Sequence, residues 1–308
     1  MSDLNLGVVG VSEGNGHPYS FSAIVNGYDD EGFEDSEWGV IHDYLREKDA
    51  SEFGFPGVEV THAWTQDETE THVLCRAARI PNAVAELEDL VGSVDAVLIA
   101  RDDYETHLEM ARPFLERGLP TFVDKPLTLD TDELATFRPY LEDGLLMSCS
   151  GMRYARELDG PRANRGQYGT VKHVDGVIIK NWAKYGVHLL DAIFGVLDAR
   201  PERVHAVDAD CPSITIETTS GPTVGITTLG TAPITFDVDI YGTEAVTHHQ
   251  LRDNFRAFRR TLYHFIEMVR SGEPALAPAE TLDVLKTTIA GQRSMNTGDP
   301  VAIADVEL

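Results

Sequence analysis

Short apolar runs alternate with helical stretches through the first half of the chain, and this pattern narrows the fold more than any other feature. An apolar run bounded by turn residues predicts a strand buried on both faces of a sheet. Strands that alternate with helices predict a parallel α/β sheet, because parallel neighbours need crossover connections. We predict strands at residues 6–11, 58–64, 96–100, 121–123 and 145–149, with helices at 104–117 and 131–143.

The pattern changes after about residue 150. Strand-like runs then follow one another with turns between them, which predicts an antiparallel sheet. We predict a strand at 171–179, a helix at 185–196, further strands from 203 to 249 and two closing helices at 255–269 and 279–295. We therefore expect an α/β domain at residues 1–150, followed at residues 151–308 by an α+β domain with an open, mostly antiparallel sheet.

A glycine-rich turn connects the first predicted strand to its helix. Gly10, Gly14 and Gly16 would let backbone amides approach a pyrophosphate, which then lies at the N-terminus of the helix. Ser12 and Asn15 stand where the Rossmann fingerprint has its second and third glycines, so the loop is altered. The turn predicts a phosphate-bearing ligand on a Rossmann dinucleotide-binding domain, with a merely tight turn as the alternative.

An acidic residue, Asp67, follows the second predicted strand. In dinucleotide-binding domains a carboxylate at this place accepts hydrogen bonds from the ribose hydroxyls of NAD. Asp67 could do this, or it could cap the next helix. No arginine lies in this turn to meet a 2′-phosphate, so NAD is favoured over NADP.

Acidic residues outnumber basic ones by 51 to 25, which gives a formal net charge of −26. Nucleic acids and anionic membranes bind clusters of Lys and Arg, so we expect neither as a partner. Such a composition is typical of proteins from salt-loving organisms, where salt screens like-charge repulsion. An ordinary acidic cytosolic protein is the alternative. Residues 29–37, here called the acidic segment, predict a solvated insertion in the first crossover.

Signals for targeting and for metal binding are missing from the sequence. No run approaches the roughly 18 apolar residues of a membrane span, and the N-terminus does not resemble a signal peptide. Cys75, Cys149 and Cys211 lie far apart without a CxxC pair, so we expect buried small side chains rather than a zinc site or disulfides. We predict a cytoplasmic protein with no metal.

Two further motifs give the chain a family resemblance. Phe122-Val123-Asp124-Lys125-Pro126-Leu127 ends a strand, and Tyr185-Gly186-Val187-His188-Leu189-Leu190-Asp191 opens a helix. The chain resembles the glucose–fructose oxidoreductase, inositol dehydrogenase and rhizopine catabolism family of NAD(P)-dependent oxidoreductases. In that family a Glu-Lys-Pro motif ends the dinucleotide domain and a Gly-x-His-x-x-Asp motif lies in the second domain. The resemblance implies NAD or NADP as cofactor, a sugar-like small-molecule substrate, and a homo-oligomer, dimer or tetramer, formed through the open sheet.

The resemblance also implies that Lys125 lies beside the nicotinamide and the substrate. Lys125 leaves the carboxyl end of a strand, where ligands bind in open α/β sheets, and its cation could stabilise a developing alkoxide. Lys184, His188 and Asp191 would share one face of a helix. His188 is the candidate base, with a buried structural histidine as the alternative. Asp191 could orient His188, cap the helix or form an internal ion pair.

Lys184 stands where family members that oxidise sugar alcohols have an Asp. A cation here would favour neutral imidazole at His188 and would suit a carboxylate or phosphate on the substrate. The same substitution could instead have abolished dehydrogenation. Tyr185 and Asp191 are candidate substrate contacts, and Asp124 and Pro126 are candidate cofactor contacts. Arg101, a further candidate cofactor contact, and its neighbours Asp102 and Asp103 follow a strand end and could touch cofactor or substrate.

Functions of different classes remain open at this point. The first is an oxidoreductase that moves a hydride between NAD(P) and a sugar, sugar acid or nucleotide sugar. The second is a catalytically silent binding protein with the same fold, which the altered glycine loop and Lys184 favour. A cofactor-assisted elimination or glycoside cleavage is a further alternative.

Overall fold

Two β-sheets organise the chain in the computed structural model, which describes residues 3–207, 209–219 and 221–308. The chain divides into two compact units, neither of them continuous in sequence. The boundary near residue 150 remains a prediction, since residues beyond it return to the first unit. The first unit comprises Met1–Asp124, Pro139–Ser148 and Phe258–Ala275, and the second comprises Lys125–Arg138, Cys149–Ala257 and Leu276–Leu308.

The first unit is built on a parallel sheet of six strands: β1 (Leu4–Val9), β2 (Val58–Trp64), β3 (Asn82–Ala83), β4 (Ala96–Ile99), β5 (Thr121–Val123) and β6 (Leu146–Met147). Their order is β3-β2-β1-β4-β5-β6, the doubly wound arrangement of a Rossmann domain. The strands β1 and β4 pair from Leu6 with Ala96 to Val9 with Ile99, and all four of these residues are fully buried. The five predicted strands are therefore confirmed, and only the short β3 was not predicted.

The helices of residues 1–150 are α1 (His17–Asn26), α2 (Asp30–Glu34), α3 (Gly39–Arg46), α4 (Glu68–Ala77), α5 (His107–Leu115) and α6 (Thr131–Glu142). The acidic segment lies in the first crossover and contains α2, and five of its six acidic residues are exposed, as a solvated insertion requires, although the segment also packs on the protein. Phe33 is buried, and Gly32 packs so closely on α4 that a Cβ there would lie 2.8 Å from Ala77 Cα. Arg46 and Arg76 form ion pairs with carboxylates of the segment, which offsets part of its charge.

The helix α9 (Asn254–Ser271) supplies aromatic side chains to the core of the first unit. The ring centroids of Phe258 and Phe21 are 5.2 Å apart, and those of Phe265 and Phe122 are 6.0 Å apart. Arg259, part of a basic cluster in an acidic chain, donates to the backbone carbonyl of Glu52 (2.7 Å). This segment is therefore an integral part of the first unit's packing.

The second unit contains a seven-stranded sheet: β7 (Val171–Ile178), β8 (Pro201–Val207), β9 (Ser213–Thr218), β10 (Thr223–Thr228), β11 (Phe236–Gly242), β12 (Val246–Gln250) and β13 (Val301–Ala302). The order is β12-β11-β7-β10-β9-β8-β13, and every pair is antiparallel except β7 with β10. Ile214 and Ile216 are buried, while Thr215 and Glu217 between and beyond them are exposed. The sheet therefore has one apolar and one polar face, as an open antiparallel sheet requires.

The remaining helices are α7 (Asp159–Ala163), α8 (Val187–Phe194) and α10 (Pro278–Thr297). We predicted a helix from Tyr185, but α8 begins at Val187, after a π-helical turn at Trp182–Gly186. Trp182 fixes this turn, because its indole N–H donates to Thr288 O (2.8 Å) and its ring lies against Gly291 of α10. A Cβ at position 291 would lie 2.5 Å from Nε1 of Trp182, so the indole ring needs glycine there.

The cysteines differ from the expectation of buried side chains. Cys149 is buried and Cys75 is half-buried, but Cys211 is exposed. Burial raises the pKa of the Cys75 thiol to about 11. No helix in the described ranges has the length and the apolar composition that are needed to cross a membrane.

Candidate functional site

The loop between β1 and α1 is tied to the ends of two neighbouring strands. Ser12 Oγ donates to Asp102 Oδ1 (3.0 Å), and Asp102 follows β4. Asn15 Nδ2 donates to Asp124 Oδ2 (3.0 Å), and Asp124 follows β5 directly. The two residues that depart from the glycine fingerprint thus hold the loop at the carboxyl edge of the sheet, where ligands bind in open α/β folds.

A polar cluster surrounds the start of α1. Asn15 Oδ1 accepts a hydrogen bond from the His17 amide (2.8 Å), and His17 Nδ1 lies 2.6 Å from Asp124 Oδ2. Asp124 is buried, and the His17 ring stacks on Phe21 with centroids 5.1 Å apart. The Asp124 carboxylate therefore organises the loop, and a contact of this residue with a cofactor stays a prediction.

Two glycines of the loop are required by packing inside the protein. A Cβ on Gly10 would overlap with the ring of Pro18, and one on Gly16 would overlap with the indole of Trp38. Both glycines thus allow the first turn of α1 to approach its neighbours closely. The close packing therefore accounts for glycine at positions 10 and 16.

Gly14 is different, because its missing side chain leaves open space. It has a φ of +74°, a conformation that favours glycine, and nothing lies within 4 Å of where its Cβ would be. The amides of Glu13 and Gly14 have no hydrogen-bond acceptor in the part of the chain that the structure describes. An open backbone with available N–H donors at a helix N-terminus fits the phosphates of a dinucleotide.

The turn after β2 contains the predicted ribose ligand. Asp67 Oδ1 accepts a hydrogen bond from the Glu70 amide (3.0 Å), so Asp67 caps α4, which is one of the two roles that the sequence left open. Its neighbour Gln66 donates through Nε2 to Val11 O (2.6 Å) and so links this turn to the glycine loop. The ribose contact of Asp67 stays a prediction.

Arg101 lies beside the same loop with its guanidinium already paired. Arg101 Nη1 donates to Gln66 Oε1 (2.7 Å), and Nε donates to Asp103 Oδ1 (2.9 Å). Burial raises the pKa of Asp103, but the hydrogen bond and charge of Arg101 outweigh it, so the pKa lies below its usual value. Arg101 therefore braces the loop and its neighbours, and its contact with a cofactor also stays a prediction.

Lys125, Tyr185 and His188 come together in the second unit. Lys125 Nζ lies 5.6 Å from the centroid of the Tyr185 ring, and the His188 ring centroid lies 5.2 Å from the same point. Lys125 is 4% exposed and His188 is 8% exposed, so both are largely shielded from water. The peptide bond between Lys125 and Pro126 is cis. Two residues predicted from separate motifs thus contact one aromatic ring.

Ser150, which the sequence analysis did not identify, connects His188 to Asp191. Ser150 Oγ lies 2.6 Å from His188 Nδ1, and the Ser150 amide donates to Asp191 Oδ2 (2.7 Å). Arg153 Nη1 donates to Asp191 Oδ1 (3.2 Å). Burial raises the pKa of Asp191 above its usual value, and the Arg153 charge offsets only part of this effect. Of the roles left open for Asp191, the internal ion pair is present, and a substrate contact stays a prediction.

Lys184 does not share an α-helical face with His188 and Asp191 as we predicted. It lies in the π-helical turn before α8, where its amide donates to Asn181 Oδ1 (3.0 Å). Lys180, a second residue that the sequence analysis missed, has its Nζ 4.4 Å from the Tyr185 ring centroid. The only sequence signal for Lys180 was its residue type, since the chain contains just six lysines.

Histidine and carboxylate side chains also meet on the second sheet. His248 Nδ1 lies 2.8 Å from Asp239 Oδ1 on the neighbouring strand. Throughout 3–207, 209–219 and 221–308, no three or more His, Cys, Asp or Glu residues are grouped so that they could hold a metal ion.

Comparison with known proteins identifies relatives of this fold. Residues 34–139 match the model of an oxidoreductase family with an NAD-binding Rossmann fold, the family of glucose–fructose oxidoreductase and inositol dehydrogenase. No curated protein matches the sequence. The resemblance is thus confirmed for residues 34–139, which contain the first of the two motifs.

Solved structures match the chain over almost its full length. Scyllo-inositol dehydrogenase from Lactobacillus casei has a TM-score of 0.78 at 13% identity, with 98% of this chain and 99% of that chain covered. Myo-inositol 2-dehydrogenase from Lactobacillus plantarum has a TM-score of 0.76 at 15% identity, with the same coverage. The Lactobacillus casei enzyme with bound NAD(H) and scyllo-inositol has a TM-score of 0.73 at 13% identity, covering 98% of this chain and 100% of that chain. At these identities the likeness shows the fold.

Proposed function

We propose that this chain, with its NAD-binding oxidoreductase segment and the fold of inositol dehydrogenases, is an NAD(P)-dependent oxidoreductase. It would move a hydride between the nicotinamide and a hydroxyl-bearing carbon of a sugar, sugar acid or nucleotide sugar. The observation that carries this proposal is that Lys125 and His188 contact the same ring, that of Tyr185. In one shielded place, the imidazole can take the hydroxyl proton of an alcohol and the cation can stabilise the developing alkoxide, while the bound nicotinamide would take the hydride.

Lys125 and His188 take different roles in this proposal. The bound nicotinamide would supply the hydride acceptor. Lys125 donates a hydrogen bond to the substrate oxygen and stabilises the negative charge that develops there. His188 accepts the hydroxyl proton at Nε2 during oxidation and returns it during reduction. For this role the single N–H proton of the neutral imidazole must be on Nδ1, where Ser150 Oγ lies 2.6 Å away and can accept it.

The first unit would hold the cofactor. The amides of the loop around Gly14 would bind its phosphates, since they have open space and available donors. Asp67 has a second carboxylate oxygen for the ribose hydroxyls, because its capping bond uses Oδ1. The turn after β2 contains no arginine for a 2′-phosphate, so we propose NAD ahead of NADP.

Binding and turnover of NADH test the proposal. The fluorescence of NADH should change when the protein is added and should then decay in the presence of one of a panel of oxidised sugars and sugar acids. NADPH in place of NADH tests the cofactor preference. If neither cofactor binds and none is consumed over the panel, the proposal is wrong.

Lys184 favours a second candidate, a binding protein without catalysis. The family members that oxidise sugar alcohols have a carboxylate where this chain has a cation, and Arg101 is already paired with Gln66 and Asp103. If NADH and a sugar both bind but no turnover is detected, at low salt concentration and at several molar salt, the result would support this candidate over the first.

We also propose a salt-adapted, cytoplasmic and oligomeric protein. A net charge of −26 supports a salt-adapted cytoplasmic protein, because high salt screens the repulsion among so many carboxylates. The open polar face of the second sheet supports a homo-oligomer assembled through that sheet. Sedimentation equilibrium in low and high KCl would measure the oligomeric state, and a monomer in both would contradict the assembly.

A further inference from the structure

We propose that Lys180, together with Lys125 and Tyr185, forms an anion-recognition site, so that the substrate carries a carboxylate or phosphate group. This inference rests on the proposed function in one respect, namely that the bound molecule is the substrate of the enzyme. The binding site itself is argued from the second unit alone. No sequence motif marked Lys180 for this role.

Two ammonium groups lie against one aromatic ring in this site. Lys180 Nζ is 4.4 Å and Lys125 Nζ is 5.6 Å from the centroid of Tyr185. Both side chains make cation–π contacts with this ring, and such a contact positions Lys180 without neutralising its charge. The rings of His188 and Phe236, with centroids 5.7 Å apart, extend the aromatic wall next to Tyr185. The site therefore combines positive charge with an apolar wall on which a sugar ring can pack.

The backbone of Lys180 is held in an unusual conformation. Lys180 has a φ of +62°, a left-handed conformation that residues with a Cβ avoid for steric reasons. Its amide donates to Gly230 O (2.7 Å) and its carbonyl accepts from the Gly230 amide (3.1 Å), so the conformation is held from both sides. Strained backbone of this kind is concentrated at binding and catalytic sites. A lysine on an ordinary surface loop would need no such constraint.

The charge of Lys180 is not balanced by the protein. In an acidic chain with 51 carboxylate side chains, Lys180 has no carboxylate partner within the ranges that the structure describes. It is exposed, so a ligand can reach it. Three of the six lysines, Lys125, Lys180 and Lys184, lie in or beside this site. Positive charge kept against a strongly negative background attracts anions and raises their local concentration.

The ligand is therefore a polyhydroxy compound with an anionic group. Ammonium groups bind phosphate and carboxylate as point charges, and two of them on one ring suit either group. A sugar acid and a sugar phosphate share this chemistry, and binding measurements distinguish them. A neutral inositol or hexose would leave the Lys180 charge without a partner.

Calorimetric titration of the full chain with glucose, glucuronate and glucose 6-phosphate tests the site. We expect at least one of the two anions to bind about tenfold or more tightly than glucose, as a charge-assisted hydrogen bond implies. The anion that binds more tightly shows whether the site prefers a carboxylate or a phosphate group. Lys180→Asn should remove most of this preference, because Asn tolerates positive φ but has no charge. Lys180→Arg should keep most of it, and Lys172→Asn, at an exposed lysine on β7, should leave it unchanged.

Two results would overturn the site. One is that glucose binds as tightly as both anions, and the other is that Lys180→Asn weakens glucose and the anions by the same factor. A different result would refute the proposed function. In that case NADH neither binds nor is consumed, while the protein still prefers the anions to glucose. If turnover is found, Lys180→Asn should raise KM for the anionic substrate by about tenfold with little change in kcat.

Discussion

Ser150 Oγ lies 2.6 Å from Nδ1 of His188, and the same serine donates its amide to Asp191. Ser150 is completely buried, and its Oγ also accepts a hydrogen bond from the Met152 amide (3.1 Å). The hydroxyl is thus held by the backbone beside the imidazole. This arrangement makes Ser150 a positioning residue, because the proton at Nδ1 decides whether Nε2 can act as a base.

Ser150→Ala should therefore lower kcat by about tenfold to a hundredfold with little effect on KM, less than the about 10²–10⁴ contributed by a general base itself. The pH dependence of kcat should change as well, since a partner of the titrating imidazole is lost. Ser150→Thr keeps the hydroxyl and should restore part of the activity. Ser148→Ala removes a different buried hydroxyl and should leave the pH profile as it is. An unchanged profile in Ser150→Ala would mean that the serine has only a structural role.

Replacing Lys125 by alanine should lower kcat/KM on the order of 10²- to 10³-fold, because the substrate oxygen loses the cation that stabilises its charge. NADH binding should persist, since the loop of the first unit is unaffected. Stopped-flow fluorescence and steady-state rates separate the two effects. The matched control is Lys286→Ala, which removes a lysine from α10. Full turnover in Lys125→Ala would refute the assignment of this residue.

Arg153→Met should lower the free energy of unfolding by about 3–5 kcal/mol, because it leaves the buried Asp191 carboxylate without its counter-charge. The side chains of this pair are 7% and 4% exposed. Arg200→Met breaks a pair whose arginine is 64% exposed, so about 0–1 kcal/mol is expected there. Urea unfolding of the two variants measures the difference, and equal losses would contradict the argument.

The loss in Arg153→Met should also depend on pH. Burial raises the pKa of Asp191 in the folded protein above its value in the unfolded chain. The folded state then binds the proton more tightly, so stability falls as the pH rises from the unfolded pKa through the folded one. The variant should be closest to the wild type below the unfolded pKa, where Asp191 is protonated in both states, and furthest from it above the folded pKa, where the carboxylate is charged. A loss that is constant with pH would show that Asp191 does not titrate in this way.

Gly16→Ala should destabilise the first unit by about 1–3 kcal/mol, because the added Cβ overlaps with the Trp38 ring. Adding Trp38→Leu to Gly16→Ala should recover part of the loss by making space. The control is Gly39→Ala, at the start of α3, where nothing lies within 4 Å of the new Cβ. It should be neutral or stabilising by up to about 1 kcal/mol. Thermal unfolding followed by circular dichroism compares the three variants, and a Gly16→Ala loss no larger than that of Gly39→Ala would contradict the overlap.

The melting temperature should rise when KCl is increased from about 0.1 M to about 2 M, because the Debye length falls from about 10 Å to below about 3 Å. Sucrose at matched water activity is the uncharged control and should raise the melting temperature less. A flat or falling response to KCl would contradict a salt-adapted surface.

The central strands β1 and β4 could be predicted because buried parallel strands are apolar runs bounded by turn residues, and all four residues of β4 are buried. In the acidic segment, the exposure of the carboxylates could be predicted from their charge, but the packing of the segment could not. Its charge dominates the composition, whereas a single side chain, Phe33, decides that it packs. The start of α8 was misplaced because the preceding turn is set by Trp182 against Gly291, a contact between residues far apart in the chain.

The candidate site was predictable only where a motif marked it. Lys125 and His188 follow from the two motifs, and the ring of Tyr185 that both contact lies in one of them. Ser150 and Lys180 belong to no motif. The first acts through a hydrogen bond across the fold, and the second depends on a left-handed backbone paired with Gly230. Such pairings arise from tertiary structure and leave no local pattern in the sequence.

The return of residues 258–275 to the first unit affects the order in which the protein can be made. Phe258 and Phe265 fill space against Phe21 and Phe122, so the first unit's core is incomplete until α9 has left the ribosome. By then the strands of the second sheet up to β12 have already been synthesised. The Rossmann sheet must therefore wait, with apolar surface uncovered, for a helix that follows most of the second unit in the chain.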